Sequence, residues 1–372
     1  MLEMLGYYLG KYGKPIPNAL KKGLRLAIKK FDEYQLAKYR GEKSSVKLVD
    51  ILNLVHPKPP KGMEEIYKKL INGELKSKGT WESKLTEAGQ AVKDIEDEEE
   101  KQEKLAELKK KSWKELLKNR KLPYFAMLRN LRNILRDAPE LIDEICKQLK
   151  DEHRIRKSLV LPFRFNTAIK EIEKLSYEKT RDVVIALSEA LEISLSNVPK
   201  FEGKTLVALD ESGSMEGRPM EIGSLFAAVL YKTNDADLMT FSEEARYRNF
   251  NPLDSTLSIA QRLQENAVWG GTNFHSIFRE ANRAYDRIII LSDMQGWMEY
   301  DAPTKTFAEY KRRTNCNPYV YSFDLQGYGD MQLPEPQVFC IAGFSEKVFD
   351  MMKVLEQDRN ILIKKIEEYI EL

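Results

Sequence analysis

Thr205-Leu206-Val207-Ala208-Leu209-Asp210-Glu211-Ser212-Gly213-Ser214-Met215 is an apolar run of strand length that stops on an acid and breaks into a Gly/Ser turn. A helical apolar pattern follows, Ile222 to Tyr231, and then a second strand-like run, Asp237 to Phe241. Ile288 to Leu291 reads as a buried strand and closes on Ser292 and Asp293, while Pro318 to Phe323 and Val338 to Ile341 add two more. Strands that alternate with helices predict a parallel sheet covered on both faces, a Rossmann-like α/β domain. In such sheets ligands sit at the carboxyl ends of the strands, near a reversal in strand order. The two acid-bearing motifs lie at such ends.

Between them comes Gly270-Gly271-Thr272-Asn273. Asp210, Ser212, Ser214, Thr272 and Asp293 together supply two carboxylates and three hydroxyls, a donor set made only of hard oxygens. Mg²⁺ prefers such a set, with few protein carboxylates and several retained waters. Gly213 is expected to let the loop turn so that both serines face one ion. Taken alone, Asp210 to Ser214 reads equally well as a helix-capping cluster after a strand. Thr272 and Asp293 tip the reading to a metal. Acyl transfer is the weaker alternative, because Ser214 lacks a GxSxG elbow and His275 is not placed as a base, so no enzyme activity is expected.

This constellation resembles the metal-ion-dependent adhesion site of von Willebrand factor A domains, Asp-x-Ser-x-Ser with a later Thr and a later Asp. The resemblance implies direct ligation by the Ser212 and Ser214 hydroxyls. Thr272, Asp210 and Asp293 would coordinate directly or through water, and a carboxylate from a protein partner would complete the ion.

Upstream, residues 1–200 read as helix after helix. Leu20, Leu24, Ala27, Ile28 and Phe31 recur at helical spacing, with Asn18 as a cap. Further helices are predicted over 45–55, 63–71, 81–93, 112–118, 123–136, 138–150, 166–175 and 180–193. Asp94 to Lys101 reads as a solvated charge run. Short amphipathic helices with brief connections suggest an α-solenoid of the HEAT type. The expected division is therefore a helical module over 1–200 and an α/β domain over 201–372. The whole-chain net charge of +2 conceals an imbalance. Residues 1–200 carry 42 Lys+Arg against 31 Asp+Glu, a net of +11, and the remainder carries a net of −9. A basic half points toward a polyanion, or else to lysine-rich helices that are merely well solvated.

Within the basic half, Lys38-Tyr39-Arg40 ends a helix, with Lys43 close behind, and His56-Pro57-Lys58-Pro59 ends the next. Leu128-Arg129-Asn130-Leu131-Arg132-Asn133 sets Arg129, Arg132 and Arg136 on one helix face. Arginine forks onto phosphates and stacks on bases, and Tyr, His and Asn suit unpaired RNA. Each of these residues also has an ordinary role as a cap or packing group. Together with Pro17 to Lys22, Thr80-Trp81-Glu82, Leu161-Pro162-Phe163 and Gly343-Phe344, they resemble the TROVE module of the Ro ribonucleoprotein family, followed by its A domain.

That resemblance implies a ring of helical repeats. Its hole would take single-stranded 3′ ends of misfolded noncoding RNA, and its outer face small Y RNAs. It also implies a role in RNA quality control or decay, with an exoribonuclease as partner. The family's RNA contacts map onto Lys38, His56 and either Arg40 or Lys43, and Lys58, Arg129 and Arg132 complete the candidate set. The match begins near residue 14, where typical members have already run longer, so a short member is expected, its ring smaller, open or completed by another copy. The alternative is an assembly module in which the A domain captures an acidic partner residue and the helices merely hold it.

No run of eighteen apolar residues and no leader-like start are present, so neither a membrane span nor a signal peptide is expected. Cys146, Cys316 and Cys340 are scattered and odd in number, which suits reduced thiols in a cytoplasmic protein. With three histidines and no CxxC, zinc is not expected.

Overall fold

The computed structural model describes residues 1–41, 44–75, 81–175, 179–296, 302–329, 331–343 and 347–357. The chain forms two compact units that meet in sequence between Lys121 and Leu122. This differs from the division expected at residue 200. Residue 200 does mark where helices give way to strands, but five helices upstream of it belong to the same compact unit as the sheet.

The first unit holds α1 (Leu2–Tyr12), α2 (Asn18–Lys29), α3 (Glu33–Lys38), α4 (Leu48–Val55), α5 (Glu64–Ile71), α6 (Trp81–Gln90) and α7 (Glu98–Lys118). Leu24 and Ile28 of α2 are buried with Leu36, Leu48, Ile51, Leu52, Val55 and Tyr67, while Leu20 and Phe31 pack at the margin. Asn18 is the first helical residue and not a cap; Pro17 precedes it, and no side chain caps this end. α4 stops where His56 turns left-handed (φ 41) ahead of Pro57, since a residue before proline is driven out of the helical region. The charge run is ordered: Asp97 accepts from the amides of Glu99 and Glu100, and Glu98 to Glu100 form the first turn of α7. Acids there offset the helix dipole.

The second unit begins with α8 (Tyr124–Asp137), α9 (Ile142–Leu149), α10 (Glu152–Ser158), α11 (Pro162–Glu173) and α12 (Thr180–Ser194). There follow β1 (Thr205–Asp210), α13 (Arg218–Thr233), β2 (Ala236–Phe241), β3 (Ala245–Arg248), α14 (Thr256–Glu265), α15 (Phe274–Glu280), β4 (Arg287–Ser292), α16 (Thr304–Thr314), β5 (Tyr319–Asp324), β6 (Val338–Ala342) and α17 (Lys347–Gln357). The sheet order is β3-β2-β1-β4-β5-β6, parallel except for the antiparallel edge strand β3. The direction of winding therefore reverses between β1 and β4. The two-residue period of a strand sends alternate side chains to opposite faces. Val207, Leu209, Ile289 and Leu291 join α13, α14 and α17 on one side. Leu206, Ala208, Ile288 and Ile290 join α15 and α16 on the other.

Phe226 of α13 binds the upstream helices to this core. It is fully buried and edge-on to Phe163 of α11, Phe323 of β5 and Phe349 of α17, at centroid distances of 5.5, 5.0 and 5.5 Å. No helix among the described residues is long and apolar enough to cross a membrane. Phe226→Ala is expected to lower unfolding free energy by about 3–5 kcal/mol, measured by urea denaturation. An unchanged midpoint would mean that this ring is not the keystone between α11 and the sheet.

Candidate functional sites at the strand ends and on the helices

β1 and β4 deliver Asp210 and Asp293 to neighbouring strand ends at the reversal of winding, where α/β sheets place their ligands. Both carboxylates are fully buried, as are Ser212 and Thr272 to within 3 %. Asp210 is well supported: one oxygen accepts from the Ser212 amide at 2.8 Å and the other from the Ser292 hydroxyl at 2.6 Å. The Ser212 and Ser214 hydroxyls lie 3.2 Å apart. The loop bearing Thr272 is fastened to the same turn, the Gly213 amide donating to the Gly270 carbonyl and the Trp269 amide to that of Glu211, both at 3.0 Å. The strand ends thus gather the predicted donors into one region.

One atom there has no partner among the described residues. Oδ2 of Asp293 is buried and unbonded, while Oδ1 accepts a long 3.3 Å bond from the Gln295 amide. Burial pushes the Asp210 carboxyl up to about 6 against the hydrogen bonds from Ser292 and Ser212, and the nearby Asp293 charge adds to the rise. Two adjacent buried carboxylates, one incompletely bonded, fit a site that a cation would complete. Among the described residues no group of three or more His, Cys, Asp or Glu side chains is placed to hold a metal. An ion here would therefore rely on hydroxyls and water as well, which suits Mg²⁺ rather than zinc.

Three supporting residues were not foreseen. Ser292 holds Asp210, and its signal was its place between the buried strand and Asp293. Glu211 is buried and paired with Arg246 at 2.9 Å and Arg248 at 3.3 Å, both from β3, the strand that sequence patterning missed. Burial nonetheless lifts the Glu211 carboxyl, outweighing the two arginines. Gln326 donates to the Ser214 carbonyl at 3.0 Å. Gly213 itself has no left-handed backbone; the glycine that needs one is Gly217 (φ 82), just ahead of α13. His275 is buried with Nδ1 2.7 Å from the Thr306 hydroxyl.

The basic candidates fall in separate places. In the first unit Lys38 and Arg40 line a cavity of about 630 Å³ with Tyr39 and Phe31. Lys38 is engaged there, donating to Glu82 and to the Tyr34 hydroxyl, both at 2.8 Å, and the bond to Glu82 holds its ammonium pKa above the usual lysine range. Arg40 donates to the Leu75 carbonyl at 2.8 Å. His56 lines a different cavity of about 470 Å³ with Pro57, Pro59, Tyr67 and Lys68; Lys58 is exposed beside it. Lys43 lies outside the described residues. In the second unit Arg129 and Arg132 stand exposed on α8, and among the described residues neither has an ion pair.

A family profile described as the TROVE domain matches residues 74–210, ending on Asp210 itself. The chain is 38 % identical over 100 residues to telomerase protein component 1 of Mus musculus, covering 26 % of this chain and 4 % of that protein. It is 25 % identical over 185 residues to the RNA-binding protein RO60 of Deinococcus radiodurans, covering 46 % of this chain and 35 % of that one. The chain thus spans about a third or less of these curated relatives. The crystal structure of the Deinococcus radiodurans RO (RSR) protein superposes with a TM-score of 0.67 at 18 % identity, covering 95 % of this chain and 81 % of that one. The fold is therefore that of a helical-repeat module joined to a von Willebrand factor A-like domain.

Ser292→Ala strips a donor from Asp210 and an acceptor from the Met294 amide. Its expected cost is about 1–3 kcal/mol, because both groups are buried. A urea midpoint equal to wild type would show that Ser292 does not support Asp210.

Proposed function

We propose that this chain is an RNA-binding protein of the Ro type and that it binds RNA through its helical module, a reading that the TROVE profile and the RO60 similarity support. The observation that carries this is the placement of Arg129 and Arg132, inside the matched TROVE segment, exposed on one helix face and in no ion pair among the described residues. The ligand of this reading is unpaired RNA, in particular single-stranded 3′ ends and Y-like small RNA, in a cytoplasmic quality-control or decay role with an exoribonuclease as partner. Lys38 serves it by exchanging Glu82 for a phosphate. Combined Lys38→Ala and His56→Ala should weaken binding of a 3′-overhang RNA about tenfold or more at low salt and flatten the salt dependence. Unchanged affinity in a folded double variant would remove these residues from the site.

The second arm of the reading is a Mg²⁺ ion held by Asp210, Ser212, Ser214, Thr272 and Asp293. The orphaned Asp293 oxygen supports it. Bound there, the ion would supply the positive charge that the two carboxylates lack and an open position for a partner's acidic side chain. The protein's own part is to hold the two serine hydroxyls and Asp210 in place through Ser292 and Gln326. Asp210→Ala should abolish any Mg²⁺-dependent rise in Tm while leaving RNA affinity within about twofold, since the two sites share no residue and sites without shared partners act independently. Loss of RNA binding in a folded Asp210→Ala protein would overturn that independence. Mg²⁺ capture of a partner by a protein that ignores RNA would favour an assembly module instead.

A further inference from the structure

The cleft between α8 and α11 is a cavity of about 500 Å³, within the size range that encloses small organic ligands. Its floor is apolar, made by Leu128, Leu131 and Ala168. Its rim is cationic, with Arg129 and Arg132 from α8 and Arg164 from α11. The acid in its lining, Glu171, is engaged by Lys174 at 2.6 Å. Phe125 sits at the mouth, 36 % exposed, with the guanidinium carbons of Arg129 and Arg164 at 5.9 and 5.5 Å from its ring centroid.

At Arg129, attraction to the ring leaves the planar fork for carboxylate or phosphate. Phe125 therefore does two things. It holds two arginines from two helices at one mouth, and it offers aromatic surface beside them. An apolar floor, an aromatic lip and several guanidinium groups match a nucleotide, with its flat base and its phosphate. A lone phosphate would leave the floor empty, and an acidic peptide would leave the lip unused. Thr167 has its hydroxyl committed to the Phe163 carbonyl. That leaves the hydroxyl only as an acceptor, and among the described residues no side-chain amide lines the cleft to read a base edge.

We propose that this cleft docks one unpaired nucleotide of an RNA strand, with the phosphate on the arginine rim and the base against Phe125, without base preference. The proposal rests on the RNA-binding reading and deepens it. Arg164 and Phe125, which sequence reasoning did not select, become ligand-binding residues.

The test uses the full chain and fluorescently labelled uridine and adenosine hexamers, with affinity read by anisotropy across a salt series. Phe125→Leu and Arg129→Lys should each weaken both hexamers about tenfold, as loss of one stacked base or one fork does. The salt dependence of Arg129→Lys should match wild type, because the charge is kept. Wild type should bind the two hexamers within about threefold of one another, since stacking tolerates any base. A hexamer carrying 5-iodouridine, irradiated on wild type, should crosslink within 122–137 or 162–173, an arm that needs no variant to fold. Hexamer binding that survives both substitutions in folded proteins, with crosslinks only elsewhere, would overturn the cleft and leave RNA binding standing. Failure of wild type to bind either hexamer at low salt would instead take down the RNA reading and the cleft together. A phosphorylated peptide that displaces the hexamer and binds more tightly would also overturn it.

Discussion

Two carboxylates buried side by side constrain everything around them. Asp210 and Asp293 reach adjacent strand ends because β1 and β4 pair in register, and neither side chain reaches water. Like charges in a low-dielectric interior repel, and each is costly to leave unbonded. The surrounding residues offset part of that cost. Ser292 and the Ser212 amide satisfy Asp210, while the Glu211–Arg246–Arg248 cluster and the bonds at Gly213 and Trp269 keep the neighbouring loops in place. Among the described residues, what remains unsatisfied there is one oxygen of Asp293.

The second constraint is the apolar joint between helices and sheet. Leu161 and Val198 from the helical stretch belong to the same buried cluster as the strand residues Val207 and Ile289. α8 to α12 therefore cannot be read as a detachable module that merely precedes the A domain. The arginine-bearing helices α8 and α11 and the acid-bearing strands β1 and β4 are parts of one packed body. Rigid helices also suit the cleft on their surface, because side chains on packed elements are held more closely than those on loops.

Much of this could be read in advance, and the failures have causes. The strands were legible because Leu206 to Leu209 and Ile288 to Leu291 are continuous apolar runs, as a sheet buried on both faces requires. β3 was not, since Ala245 to Arg248 is half polar and lies at an edge. The carboxylate and hydroxyl residues at the strand ends stand out by type and order, whereas Ser292 was hidden by its very ordinariness beside Asp293. The boundary at residue 200 followed from the change of period, which reports secondary structure. Compactness depends on contacts such as Phe163 with Phe226, and no local pattern carries those. Arg164 escaped because its neighbours in sequence, Phe163 and Phe165, are core groups; only the packing of α11 on α8 brings it to Phe125.

Charge shows most plainly why location matters more than count. The basic half carries a net of +11. Several of its lysines are spent locally: Lys38 on Glu82, Lys84 on Glu115, Lys170 on Glu221, Lys174 on Glu171 and Lys179 on Asp143. Such pairs contribute little stability at the surface, but they occupy cations that a polyanion would otherwise meet. A phosphate approaching Lys38 must compete with a carboxylate already hydrogen-bonded to it at 2.8 Å. Arg129 and Arg132 form no ion pair among the described residues, although Glu171 lies in the same cleft, and the ring of Phe125 attracts the Arg129 guanidinium without consuming its fork. For the same formal charge, an arginine braced by an aromatic ring is therefore better prepared for a phosphate than a lysine already in a salt bridge.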